Sequence, residues 1–123
     1  MKEEDTALLF NLCRMAGHKN PESIARTIQS WEQAFQLVQF PLDGVIAEFG
    51  PGVSPKIQLA LKSTPFIGKL VLIDTNQQAL AAQNIVAGLS RPNFEVETFQ
   101  ENLFDIPFDR FDLITANHLI DDL

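Results

Sequence analysis

Val45-Ile46-Ala47-Glu48-Phe49-Gly50-Pro51-Gly52-Val53-Ser54 decides how this chain folds. A short apolar run ends in a carboxylate, followed by two glycines one residue apart and then a serine. That order predicts a buried parallel strand, a tight turn and a helix whose N-terminus faces a ligand. Gly50 and Gly52 lack Cβ atoms, so the backbone can turn sharply and approach a bound molecule closely. Ser54 is expected to cap the helix, with Pro55 at the first helical position, where its missing N–H costs nothing.

Downstream, strand and helix signals alternate. Pro55 to Ser63 reads as a helix with Ile57, Ala60 and Leu61 on one face. Lys69 to Asp74 is apolar apart from its two ends, as a strand buried on both faces of a parallel sheet would be. Asn76 to Leu89 is expected to be helical, turning Ala79, Ala82, Ile85, Val86 and Leu89 to the sheet. Phe94 to Phe99 alternates, with Phe94, Val96 and Thr98 opposite Glu95 and Glu97, which suits an edge strand with one wetter face. Phe111 to Ala116 is a fourth strand. Such alternation implies right-handed crossovers and a parallel sheet, an α/β fold.

Upstream, two helices are expected. The first runs from about Glu4 to Ala16, stopped by Gly17. The second opens with Asn20 as N-cap and Pro21 in the first turn. Its Ile24, Ile28, Trp31, Phe35 and Val38 form one apolar stripe, so Trp31 reads as core packing before it reads as part of a substrate pocket. Pro41 and Asp43-Gly44 break the chain ahead of the first strand. This divides the sequence into a helical segment, 1–41, and an α/β unit, 42–123.

With 123 residues, 46% of them hydrophobic, the chain can bury a core. A single cysteine, Cys13, excludes an internal disulfide and fits a reducing, cytoplasmic setting. No apolar run has membrane-spanning length. The formal net charge of −7 disfavours extended contact with nucleic-acid backbone. His18, His118 and Cys13 show no metal-ligand spacing.

The run Glu48-Phe49-Gly50-Pro51-Gly52 resembles motif I, acidic-x-Gly-x-Gly, of the class I, Rossmann-like S-adenosylmethionine-dependent methyltransferases. A nicotinamide dinucleotide fingerprint fits less well, because Pro55 stands where the third glycine of G-x-G-x-x-G would fall. The resemblance extends from about Leu42 to Leu123 and implies strand order 3-2-1-4, with a switch point between strands 1 and 4 where ligands bind. It implies S-adenosyl-L-methionine as cofactor, with its demethylated product S-adenosylhomocysteine as the other ligand. Glu48 would then lie near the ammonium end of the methionine moiety, and Gly50, Pro51 and Gly52 around its carboxypropyl arm.

Asp74, closing the second strand, would accept hydrogen bonds from both ribose hydroxyls, and Thr75 would flank the adenine. A purely structural role for Asp74 is a cap on the following helix. The segment Asn102 to Phe108 resembles the one after strand 3 of the family. There Asn102, where the family usually has aspartate, would receive the adenine amine, and the backbone N–H of Leu103 would meet a ring nitrogen. Without a ligand, Asn102 reads as a turn residue. Phe111 to His118 resembles motif IV. Asn117 lies where amino-group methyltransferases begin an Asn/Asp-Pro-Pro-Tyr signature, but His118-Leu119-Ile120 follows, so amino-group chemistry is not implied. Asn117 and His118 are the candidates for catalysis, His118 as a general base or else as a loop-packing histidine.

The family continues through three further strands, whereas this sequence stops after its fourth. The expectation is therefore a cofactor-binding half-domain whose fourth strand is completed by a second copy or a separate chain. The methyl acceptor, a small molecule or a protein nucleophile, is not specified by these residues. Two rival readings are a non-catalytic nucleoside- or partner-binding module of the same fold, and a nicotinamide-dinucleotide-binding protein.

Overall fold

The computed structural model describes residues 1–15, 20–102 and 105–116. Four parallel strands form one sheet: β1 (Val45–Phe49), β2 (Lys69–Asp74), β3 (Glu95–Gln100) and β4 (Leu113–Ala116), in the order β3-β2-β1-β4. Register sets Ala47 beside Val71 on one side and Ile114 on the other, so β1 is the central seam. This is the Rossmann-like α/β arrangement that the glycine stretch implies. The fourth strand is shorter than expected, starting at Leu113. Before it, a 3-10 turn occupies Phe108–Arg110, and the Asp112 carboxylate accepts a hydrogen bond from Val45 N–H at 2.8 Å.

Four helices accompany the sheet: α1 (Glu3–Met15), α2 (Pro21–Leu37), α3 (Lys56–Lys62) and α4 (Gln77–Ser90). Alternation along a strand sends neighbouring side chains to opposite faces. Ile46, Leu70 and Leu72 pack with Leu9, Ile28, Phe35, Ile57, Leu61, Leu80 and Phe94 in the helix-side core. Ala47, Phe49, Val71 and Ile73 form a smaller cluster on the other face, covered in part by Ile106 and Phe111 from the β3–β4 connection. Trp31 is partly buried, its ring centroid 5.9 Å from that of Phe35, so it serves the core. Val38 lies just beyond α2 and is exposed rather than completing the stripe. Asn20 caps α2 as expected, accepting from Ser23 N–H at 3.0 Å. The expected stop at Gly17 lies outside the described residues.

Three local expectations need correction. Ser54 does not cap α3: Pro55 occupies the cap position without a side-chain hydrogen bond, and the helix begins at Lys56. The Ser54 carbonyl is engaged instead, by Lys56 N–H and by the Gln83 amide. Helix α3 is buried throughout Ile57–Leu61 rather than along a stripe, because it lies between the sheet and α2. In α4 the buried set is Ala79, Leu80, Gln83, Val86 and Ser90, whereas Ile85 and Leu89 are exposed. An alanine-rich helix has a weak amphipathic signal, and here a buried glutamine marks the inward face.

Candidate functional site

The glycine turn joins β1 to α3 at the carboxyl end of the sheet. Gly50 and Gly52 have φ of 65° and 64°, in the left-handed region that side chains with a Cβ avoid. Gly50 N–H donates to the Ile73 carbonyl at 2.8 Å, which ties the turn to the end of β2. A Cβ built on Gly52 would meet nothing within 4 Å, so this part of the turn borders open space.

Asp74 holds the turn from the neighbouring strand. One carboxylate oxygen accepts from Gly52 N–H at 3.1 Å, the other from Asn76 N–H at 2.9 Å. Asp74 is therefore not the cap of α4. That role belongs to Asn76, whose side-chain oxygen accepts from Gln78 and Ala79 N–H. Each Asp74 oxygen keeps a second lone pair, so the carboxylate retains acceptor capacity for two hydroxyls. Thr75 is exposed beside it, and its carbonyl accepts from the Gln100 amide at 3.1 Å.

Glu48, near the end of β1 just ahead of the turn, is 1% exposed, with one carboxylate oxygen lacking a partner among the described residues. Burial pushes its carboxyl up to about 8; Lys56 opposes the shift and Asp74 adds to it. A buried carboxyl of this kind is neutral near pH 7, and an arriving cation would favour its ionised form. The uncompensated oxygen is what an ammonium-bearing ligand would satisfy.

Two buried polar side chains linked to the turn escaped the sequence reading. Gln83, on α4, donates its amide hydrogens to the Gly52 carbonyl at 2.9 Å and the Ser54 carbonyl at 3.0 Å. Gln58, on α3, donates to the side-chain oxygen of Gln83 at 2.6 Å and to its carbonyl at 3.0 Å. Both are buried. Their signal was a polar residue at an inward position of an otherwise apolar helix, which a search for apolar stripes passes over.

Glu48, Gly50, Pro51, Gly52, Asp74 and Thr75 thus come from the carboxyl ends of β1 and β2 and the turn that leads from β1 into α3. Asn102 is exposed after β3, and its carbonyl accepts from Asp105 N–H at 3.0 Å, the turn geometry its residue type favours. Leu103, Asn117 and His118 lie outside the described residues. Burial pushes the Cys13 thiol up, with Glu22 adding to the shift, so this cysteine is a core residue and not an activated nucleophile. Among the described residues there is no cluster of metal-binding side chains, and no helix is long and apolar enough to cross a membrane.

The fold is that of the class I, Rossmann-like S-adenosylmethionine-dependent methyltransferases. One solved structure with this arrangement is the plantazolicin methyltransferase BpumL in complex with SAH, with a TM-score of 0.55 and 15% identity, matching 94% of this chain and 42% of that one. Another is the YcgJ protein from Bacillus subtilis, with a TM-score of 0.56 and 18% identity over 73% of this chain and 38% of the other. The chain spans about two fifths of the length of these structures. No family model and no curated protein matches the sequence.

Proposed function

We propose that residues 42–123 form the S-adenosylmethionine-binding part of a methyltransferase, with residues 1–41 as a helical segment packed against it. The observation that carries this reading is the left-handed glycine turn flanked by two carboxylates of different character. Glu48 is buried and neutral with an unsatisfied oxygen; Asp74 is partly exposed and bonded to the turn itself.

The residues suit the group. Glu48 would receive the methionine ammonium, Gly50, Pro51 and Gly52 would border the carboxypropyl arm, and Asp74 would take the ribose hydroxyls. Thr75 would flank the adenine, whose edge would meet Asn102 and Leu103, with Asn117 near the methyl group. When bound, the cofactor supplies a methyl group already activated on a sulfonium. The chain's own work is orientation: directional hydrogen bonds at both ends of the ligand restrict it to one pose, the condition for a near-attack geometry. His118 is the candidate base where an acceptor needs one.

The acceptor is a small molecule or a protein nucleophile, and its wall lies beyond the residues named. β4 pairs only with β1 and forms a sheet edge among the described residues. A second copy or a separate chain pairing there would complete the sheet. Calorimetric titration with S-adenosylhomocysteine and with NAD tests the cofactor assignment. Binding of the former alone is expected; tight NAD binding with no response to S-adenosylhomocysteine would refute it.

A further inference from the structure

We propose that Gln83 and Gln58 are positioning residues that lock the glycine turn in its ligand-receiving shape. The turn is gripped from two sides. Asp74 takes the Gly52 N–H from the β2 side, while Gln83 takes the Gly52 and Ser54 carbonyls from α4. The peptide groups on both sides of Gly52 are thereby fixed, at a residue whose φ of 64° an unrestrained chain would leave readily.

The chemistry dictates which way each amide points. The Gln83 nitrogen faces two carbonyl oxygens and must be the donor, which leaves its oxygen to accept from Gln58 at 2.6 Å. The Gln58 nitrogen in turn faces two oxygens of Gln83. The pair is a one-directional relay from α3 through α4 into the turn. Gln83 is 0% exposed, so water does not compete for these bonds. Two buried amides in this position cost desolvation, and an apolar pair would fill the same space; a role in shaping the turn accounts for them.

The ligand in question is the nucleoside cofactor of the preceding reading, on which this inference rests for its binding arm. Hydrogen exchange followed by mass spectrometry gives an arm that does not depend on any ligand. Gln83→Met keeps the side-chain length and removes both donors. Its amide exchange across 50–56 should quicken at least tenfold more than elsewhere, and its affinity for S-adenosylhomocysteine should fall at least fivefold. Gln58→Met should show a smaller change confined to the same segment, absent when added to Gln83→Met. Phe94→Leu, at the far end of the sheet, is the control for general loss of stability.

A folded Gln83→Met whose exchange across 50–56 rises no more than in Phe94→Leu would overturn the proposal. Should Gln83→Met fail to fold, Gln58→Met decides, and no local change in its turn would overturn the proposal equally. A wild-type protein that ignores S-adenosylhomocysteine while Gln83→Met loosens the turn would defeat the cofactor reading and support the positioning role.

Discussion

Replacing Glu48 with glutamine should remove a pH dependence from folding. The carboxyl titrates at about 8 in the folded protein, mainly through burial, against an ordinary value of 4.5 in the unfolded chain. Between those values the folded state holds a proton that the unfolded state has released. The contribution to stability is full below pH 4.5, declines as the pH rises, and is lost by about pH 8. At about 1.4 kcal/mol per pH unit the whole span amounts to roughly 5 kcal/mol, a ceiling that water entering beside the ionised group lowers. Glu48→Gln keeps the shape and the neutral charge, so its own curve should lack this decline. The variant should match wild type near pH 5 and exceed it by about 2 kcal/mol or more at pH 8.5. Urea unfolding followed by circular dichroism from pH 5 to 9 measures both curves, and the other carboxylates cancel in the difference. Parallel curves, or a variant weaker at every pH, would refute the burial argument.

Asp74→Ala should weaken S-adenosylhomocysteine binding by roughly 1.5–3 kcal/mol, the loss of charged hydrogen bonds, as read by calorimetry. A lower melting temperature with unchanged affinity would leave Asp74 as a brace for the turn alone. Gly52→Ala should cost about 1–2 kcal/mol of stability, since its φ of 64° lies in the left-handed region, and a larger factor in affinity, because the new methyl enters open space at the turn. Equal affinity would place the ligand elsewhere. Gly68→Ala should destabilise by about 2 kcal/mol or more in urea unfolding without touching the site, because its Cβ would fall 2.0 Å from the Gly44 carbonyl oxygen.

The fold was legible because its signals are local. Ile46, Ala47 and Leu70 to Ile73 are buried, as apolar runs in a parallel sheet must be, and Gly50 and Gly52 do adopt the φ values that only glycine takes freely. Edge position was legible in β3 from its Glu95 and Glu97 alternation. The inward face of α4 was not. Alanines fit either face, so Ile85 and Leu89 looked like core, while tertiary contacts with the glycine turn selected Gln83. Capping failed for a similar reason. Ser54 and Asp74 have the residue types of N-caps, but Asn76 supplies the cap of α4, and Asp74 turns back to Gly52. Which of several suitable side chains takes a role depends on contacts between distant segments, and a one-dimensional pattern does not hold them.

The central claim, that the glycine turn and the ends of β1 and β2 receive an adenosyl amino acid, is tested most directly by residue-resolved NMR. Titrating 15N-labelled protein with S-adenosylhomocysteine should shift the amide signals of Glu48, Gly50, Gly52, Asp74 and Thr75, saturating together at one affinity. Saturating shifts confined to other parts of the molecule, or no shifts at millimolar ligand, would contradict it.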